Sequence, residues 1–230
     1  KFQLLDNKKE YNILHLLNDE ENAYKEFDLT NVQVAYLSGR DKQFELGGTS
    51  THAFVEFEAE LDIEKFNKSV QAVIERQHML RAVFLSNGKQ KILEHVPNYK
   101  LAIQDVSYLK KSDQEDKILE ARKVTNERIF DPYQWPLFEF KALKISDKLY
   151  RIFFDIDMLI ADGASIQLLF KEISELYNGK IQEPLEVSYR DYMLAYNKLK
   201  GNHKYQDDKE YWLNKLESFP STPALPVKVD

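Results

Sequence analysis

The 230-residue sequence contains no cysteine, which excludes a disulfide framework, a thiolate metal site and a cysteine nucleophile. It also lacks an apolar run of the roughly 18 residues that a membrane-spanning helix needs. Lys and Arg number 32 against 38 Asp and Glu, for a formal net charge of −6, so the basic excess typical of nucleic-acid-binding proteins is missing. We therefore expect a cytoplasmic protein that binds neither nucleic acid nor membrane.

The chain does contain enough apolar material for a core. Hydrophobic residues make up 43% and aromatic residues 13%, which suffices for one large domain or two small ones. Because it begins with Lys1-Phe2 rather than Met, we expect a piece of a longer protein. We predict a lead-in segment over residues 1–26, a domain over 27–218, and a linker with three prolines over 219–230.

Strands are indicated by alternation and by turn residues. Apolar and polar residues alternate over 53–61, which predicts a strand. Two hairpins are predicted, over 80–96 around Asn87-Gly88 and over 138–156 around Ser146-Asp147. Because hairpins dominate, we predict an α/β (α+β) fold, with a mixed, mainly antiparallel sheet covered by helices.

Helices are indicated by apolar spacing and by capping residues. Thr30 to Gln33 and Ser112 to Glu115 have the spacing of capping boxes, and Asp62 can cap another helix. Trp135 and Trp212 are predicted to lie in the core. The predicted helices cover 11–17, 31–38, 62–74, 112–128, 164–178, 189–199 and 207–217.

One loop concentrates the chemistry of the chain. Residues 157–165 read DMLIADGAS and lie between an apolar stretch, 149–156, and a helical pattern that begins at Ile166. Buried carboxylates cost several kcal/mol to desolvate, so Asp157 and Asp162 need a partner or a task. Loop Asp pairs can bind Mg²⁺, and residues 153–157 also resemble the D-x-D strand end of haloacid-dehalogenase-type phosphatases. Because the later acidic pair, Asp207-Asp208, follows a polar stretch rather than a strand, we predict no metal site.

Five separated segments resemble, in family order, the motifs of heterocyclization domains of nonribosomal peptide synthetases. These domains are a variant of condensation domains, and the resemblance runs from about residue 27 to 227. The segments are the opening motif at 27–40 (FDLTNVQVAYLSGR), the second motif at 76–84 (RQHMLRAVF), the segment at 131–138 (DPYQWPLF), the D-x-x-x-x-D-x-x-S signature at 157–165, and the proline-rich motif at 220–226 (PSTPALP). Gln77 departs from the family, which usually has His there, and we interpret it as a tolerated structural change.

The resemblance implies a chloramphenicol-acetyltransferase-like lobe and a particular chemistry. Condensation domains carry H-H-x-x-x-D-G at this loop, so Asp157 takes the first His position, Met158 the second and Asp162 the Asp. Met158 has no proton to exchange, so the general base of ordinary condensation is missing. This favours the cyclizing variant, which condenses an acyl or peptidyl donor with Cys, Ser or Thr and cyclodehydrates the product to a thiazoline or oxazoline.

The resemblance also implies roles for residues in the loop. Asp157, Asp162 and Ser165 are the catalytic candidates. Asp162 is expected to form a buried ion pair with Arg76, and breaking one side of such a pair costs about 3–5 kcal/mol. Asp157 either positions the amine and the tetrahedral intermediate or braces the loop. Ser165 supplies a catalytic hydroxyl or caps the helix, the cap being favoured. Gly163 is expected to permit a tight turn or a close approach of substrate.

Other residues are expected to line a substrate tunnel. Gln33, Tyr36 and Met158 are placed there, and Arg81 either binds a phosphopantetheine phosphate or braces the fold. No cofactor is expected to bind directly, because the phosphopantetheine arrives on partner carriers. The expected partners are donor and acceptor peptidyl carrier proteins, an adenylation domain and the C-terminal lobe of the same domain.

The resemblance places the Thr and Asp that drive cyclodehydration in that second lobe. We therefore expect the first lobe alone to be inactive. Two alternatives remain open: an ordinary condensation or acyltransferase domain, and a non-catalytic carrier-docking module.

Overall fold

The computed structural model describes residues 16–40, 43 and 47–221. Two short 3₁₀ helices, Glu20–Asn22 and His78–Arg81, accompany the regular elements. The strands are β1 (Phe27–Asp28), β2 (His52–Glu60), β3 (Ala82–Phe84), β4 (Lys89–Ile92), β5 (Ala102–Asp105), β6 (Phe138–Lys144) and β7 (Leu149–Asp157). The helices are α1 (Asn31–Ser38), α2 (Ile63–Arg76), α3 (Lys111–Asn126), α4 (Gly163–Tyr177), α5 (Tyr189–Leu199) and α6 (His203–Leu216).

The larger sheet has the strand order β2-β7-β6-β5. Strand β7 is antiparallel to both of its neighbours, with His52 of β2 opposite Asp157, whereas β5 runs parallel to β6. A second sheet has the order β1-β4-β3, with antiparallel pairs. The predicted fold class is thus confirmed, and β7 carries the chain through the middle of the larger sheet to the acidic loop.

The two faces of β7 pack against different helices because successive side chains point to opposite sides of a strand. Its even-numbered apolar residues join α2 and α4 in the main core, where the rings of Phe140 and Phe154 stack at 4.3 Å. On the other face, Phe153 packs with Leu143 and with α3. Helix α2 buries Phe66, Val70, Val73 and Ile74 in the main core. Burial on both faces makes β7 a rigid base for the loop that follows it.

Most predicted elements are confirmed, and the differences have local causes. Helix α3 begins at Lys111 with Lys110 as its N-cap and no side-chain capping bond, so the capping box at Ser112 was wrong. The helix begins before Ser112, which therefore already has helical backbone and lies past the cap position. Strand β5 was not predicted, because it is a short, fully exposed edge without a clear alternation.

Near the C-terminal end, the structure corrects the prediction for Trp212. It is 60% exposed and lies on α6, none of whose described residues is buried. Helix α6 begins earlier than predicted, because Asn202 accepts a hydrogen bond from Tyr205 N. Trp135 is half-buried and packs against the core, with its indole N–H donating to Leu80 O at 2.9 Å.

The described residues provide little or no test of three other expectations: the first helix, the proline-rich segment and the domain boundaries. The predicted helix at 11–17 lies mostly outside the described residues, as does most of the proline-rich segment after residue 221. The predicted domain boundaries stay predictions. Within the part of the chain that the structure describes, no helix is long and apolar enough to cross a membrane.

Candidate functional site

The acidic loop connects the end of β7 to the start of α4. Its first residue, Asp157, is completely buried. One carboxylate oxygen accepts a hydrogen bond from the Arg40 guanidinium and the other accepts from Leu159 N at 2.9 Å. Arg40 in turn donates to Phe130 O at 2.8 Å. Charge-assisted hydrogen bonds of this kind offset the free-energy cost of removing the carboxylate from water. These contacts support the bracing alternative for Asp157.

The second acid of the loop is the N-cap of α4. Asp162 is exposed and accepts hydrogen bonds from Ser165 N at 2.8 Å and from the Ser165 hydroxyl at 2.7 Å. The bonds from Ser165 stabilise the carboxylate and lower the pKa of Asp162 below its usual value. Ser165 was expected to cap the helix. Instead Asp162 is the cap, and Ser165 is the donor in the first turn.

A cavity of about 400 Å³ lies between the loop, α1 and the beginning of α4. Most of its wall is apolar, including Met79, Leu80 and Leu168. The fold brings together here five residues that the sequence placed at the site: Gln33, Tyr36, Met158, Asp162 and Ser165. An apolar cavity with a few polar groups at its edge is the usual form of a small-molecule site.

Gln33 connects α1 to the loop. Its side-chain amide donates to Leu159 O at 2.8 Å and to Gln90 Oε1 at 3.0 Å. Its carbonyl accepts from Thr30 N at 2.9 Å, which completes the predicted capping box. Gln33 is therefore a bracing residue whose surface also forms part of the cavity wall.

The sequence matches the Condensation domain family over residues 28–229. The chain belongs to this family. It is 42% identical to bacitracin synthase 1 of Bacillus licheniformis over 214 residues, which is 92% of the chain and 4% of that protein. It is 30% identical to pyochelin synthetase PchF of Pseudomonas aeruginosa over 211 residues, or 90% of the chain and 12% of that protein.

Solved structures agree with this assignment to condensation domains of nonribosomal peptide synthetases. The cyclization-docking bidomain of the EpoB nonribosomal peptide synthetase from Sorangium cellulosum superposes with a TM-score of 0.86 at 29% identity. The match covers 93% of this chain and 44% of that one. The chain thus spans less than half of the EpoB bidomain and a small fraction of bacitracin synthase 1 and PchF.

In this condensation domain, the predicted ion pair between Arg76 and Asp162 is not formed. Arg76 Nε donates to Glu172 at 3.1 Å, and its guanidinium also donates to Glu183 O. Glu172 is buried and accepts from Gln77 Nε2 at 2.8 Å as well. Arg76 ends α2, which packs beside the middle of α4, and Glu172 lies about 15 Å along α4 from Asp162 at the usual helical rise. The packing of α2 on α4 therefore selects Glu172.

Arg81 is a structural brace in this condensation domain and does not line the cavity. It is 6% exposed, and its guanidinium donates to the carbonyls of Leu93 at 2.6 Å and Glu94 at 3.1 Å. It also donates to Ile74 O and Glu75 O, both at 3.3 Å. With its donors directed at backbone carbonyls, Arg81 is not available to a phosphate. These contacts support the bracing alternative for Arg81 and correct its assignment to the tunnel.

Gly163 also differs from expectation. It begins α4 without a positive φ, and a Cβ built on it would meet nothing within 4 Å. The tight turn that it was expected to permit is therefore not required. Gly163 is not among the described residues that line the cavity.

Two relationships at the site were missed from the sequence. Arg40 was recognised as part of the opening motif, but no local pattern identifies Asp157 as its partner. No local pattern pairs His52 with Asp155 either, yet His52 Nδ1 lies 2.6 Å from Asp155 Oδ1. Burial raises the pKa of Asp155, which the hydrogen bond from His52 and the charge of Arg128 partly oppose. The described residues contain no cluster of three or more His, Asp or Glu that could hold a metal ion.

Proposed function

We propose that this chain is the N-terminal lobe of a heterocyclization domain. The intact domain would transfer an acyl or peptidyl group from a donor carrier to the amine of a carrier-bound Cys, Ser or Thr. The side-chain thiol or hydroxyl would then attack the carbonyl carbon of the new amide. Loss of the carbonyl oxygen as water, with the amide nitrogen forming a double bond to that carbon, would give a thiazoline or oxazoline.

The observation that carries this proposal is the position of Met158. It lies in the wall of the cavity, where the resemblance places the second His of an ordinary condensation domain. A thioether accepts hydrogen bonds only weakly and exchanges no proton, so it cannot act as a general base. The two acids of the loop are already engaged, Asp157 by Arg40 and Asp162 by Ser165. This lobe would therefore supply a wall and a rigid floor, and the second lobe would supply the groups that remove water.

Three relatives support the cyclizing variant. The EpoB structure is that of a cyclization-docking bidomain, and pyochelin synthetase PchF is 30% identical to this chain. A third relative, phenyloxazoline synthase MbtB of a Mycobacterium species, is 27% identical over 202 residues, and its name identifies an oxazoline as its product. We carry this chemistry over to the present chain as a proposal.

The proposed partners follow from the reaction. Donor and acceptor carrier proteins would bring their substrates on phosphopantetheine arms, and an adenylation domain would load the acceptor. The C-terminal lobe of the same domain would cover the cavity and complete catalysis, so the isolated lobe would be inactive. The cytoplasmic location stays a prediction.

The test is reconstitution of the two-lobed domain of the synthetase that contains this chain. Donor carrier loaded with an aminoacyl group and acceptor carrier loaded with cysteine would be combined, and the intact mass of the acceptor followed. Heterocyclization predicts the mass of the amide less one water. Amide without water loss would establish ordinary condensation instead, and no product would favour the docking module.

A variant of Met158 tests directly whether the missing imidazole determines the chemistry of this site. Met158→His restores the imidazole of an ordinary condensation domain, and we expect no increase in the rate of amide formation. Leu168→His is the matched control, because Leu168 lines the same cavity and is 47% exposed. A rise in amide formation with Met158→His alone would support ordinary condensation as the chemistry of this site.

A further inference from the structure

Three tyrosines form a stacked row on helix α5. The rings of Tyr189 and Tyr192 lie 5.9 Å apart at 30°, and those of Tyr192 and Tyr196 lie 6.1 Å apart at 13°. Their spacing of three and four residues places them on one side of the helix. Tyr192 is 40% exposed, so the row is in part open to solvent. We call these three residues the tyrosine row.

The inner end of the tyrosine row opens into the cavity. Tyr189 lines the cavity beside Thr30, and its ring is fixed by an edge contact with Phe27 at 6.4 Å. The row therefore connects the surface of α5 with the space next to Met158. It forms a continuous aromatic path to the proposed reaction site.

The outer end of the tyrosine row carries a positive charge. Lys200 Nζ lies 5.0 Å from the centre of the Tyr196 ring. No ion pair found among the described residues includes Lys200, in contrast to Lys204, which pairs with Asp208 at 2.6 Å. A cation without a carboxylate partner at the mouth of an aromatic path is suited to an anionic ligand.

We propose that the tyrosine row carries the phosphopantetheine arm of a carrier protein, with its phosphate at Lys200 and its thioester end at the cavity. This inference rests on the proposed function, because it needs a carrier-bound substrate. The helix from Tyr189 to Lys200 is about 16 Å long at 1.5 Å per residue. The arm has about 13 bonds from phosphorus to sulfur, on the order of 15 Å when extended like a peptide backbone. The two lengths agree.

The chemistry of the arm also fits the tyrosine row. Its dimethyl group and two amides offer apolar and planar surfaces that pack on aromatic rings, which need no particular side-chain partner. Its phosphate would form a charge-assisted contact with the Lys200 ammonium. The row would thus bind the arm common to all carriers and leave substrate selection to the cavity.

The binding of 4′-phosphopantetheine and of pantetheine to this chain tests the proposal, with NMR titration as the readout. We expect both to shift the ring resonances of the tyrosine row, and the phosphorylated probe to bind about fivefold more tightly at low salt. Lys200→Gln should abolish that difference. Lys198→Gln is the matched control, since Lys198 lies on the same turn but lines a different surface hollow beside Asp19.

Several results would overturn the proposal. The proposal is wrong if the two probes bind the unaltered chain with equal affinity. It is also wrong if Lys198→Gln and Lys200→Gln have equal effects, or if the shifts are confined to residues outside the row. Tyr192→Ala should weaken both probes, whereas Tyr108→Ala, at a 79% exposed aromatic residue elsewhere, should not. This binding test is independent of the test for water loss. If the probes bind at the tyrosine row but the intact domain does not cyclize, the row is retained as the site of the arm and heterocyclization is rejected. If the domain cyclizes but probe binding does not depend on Lys200, heterocyclization is retained and the proposal for the row is rejected.

Discussion

Arg40 and Asp157 form an ion pair across 117 positions of sequence, beneath the loop that the family uses for its signature motif. The side chain of Asp157 is completely buried and that of Arg40 is 10% exposed. The first acid of the signature thus holds the loop against the segment that follows α1. The conformation of the loop is thus fixed by two residues that do not line the cavity.

Removing one partner of this pair should be strongly destabilising. We expect Asp157→Ala to lower the free energy of unfolding by about 3–5 kcal/mol, because the Arg40 charge is left buried without a partner. The double variant Arg40→Met/Asp157→Leu should recover much of that loss. Urea unfolding measures both, with Lys204→Ala as a control whose exposed pair is worth at most about 1 kcal/mol. A double variant less stable than either single variant would contradict the pairing.

A double-mutant cycle distinguishes the partner that the structure gives Arg76 from the one predicted. Arg76→Ala and Glu172→Ala should be coupled by about 0.5–3 kcal/mol, because the side chains are in contact. Arg76→Ala and Asp162→Ala should be additive within about 0.5 kcal/mol. Unfolding free energies from denaturant titration give both values. Coupling of Arg76 to Asp162 would instead restore the original prediction.

The cap of α4 makes a prediction with a pH dependence. Asp162→Ala should cost about 1 kcal/mol of stability, whereas Asp162→Asn should cost much less because Asn also caps. The pKa of Asp162 is lower in the folded chain than its usual value of 3.8. Its charge therefore contributes stability above pH 3.8, and that contribution is lost as the pH falls through the folded pKa. The stability difference between the unaltered chain and the Asp162→Asn variant should therefore shrink on acidification. A difference that stays constant would contradict the lowered pKa of Asp162.

Asp155 should show the opposite pH dependence. Burial raises its pKa in the folded chain, so the protonated form is favoured on folding. Its contribution to stability is greatest below the unfolded value of 3.8 and falls as the pH rises toward the raised folded pKa. Relative to Asp155→Asn, the unaltered chain should lose stability over that window, which unfolding curves at several pH values would show.

The partner of Asp155 provides the control for that experiment. The hydrogen bond from His52 lowers the pKa of Asp155, as does the charge of Arg128, and Glu139 raises it. His52→Leu should therefore move the window to higher pH. A window that stays in place would mean that His52 does not stabilise the Asp155 carboxylate.

Local patterns predicted the features that depend on neighbours in sequence. The capping box of Thr30 and Gln33 and the hairpin turn at Asn87-Gly88 involve residues within a few positions of each other, and both are present. The five motif segments led to the family, because their order along the chain is itself specific. The strand pattern before Asp157 also correctly placed the acidic loop at the end of a buried strand.

Features that depend on packing between distant elements were not predictable in this way. Arg76 has acids available on several elements, and only the docking of α2 beside α4 decides that Glu172 is its partner. The partner of Asp157 is equally invisible in sequence, because Arg40 follows a different helix. Trp212 was predicted to lie in the core, but its helix leaves its side chain largely exposed.

The two contacts that join α1 to the acidic loop imply that these segments open and close together. Helix α1 has eight residues, fewer than an isolated helix needs to be stable in water. Its order therefore depends on Gln33, bonded to Leu159 O, and on Arg40, bonded to Asp157, at its two ends. Release of either contact would free the helix and the loop as one cooperative unit, and hydrogen exchange of their amides would give a common free energy of opening. The free energy needed to open the signature loop would then equal the free energy needed to release α1 from its contacts.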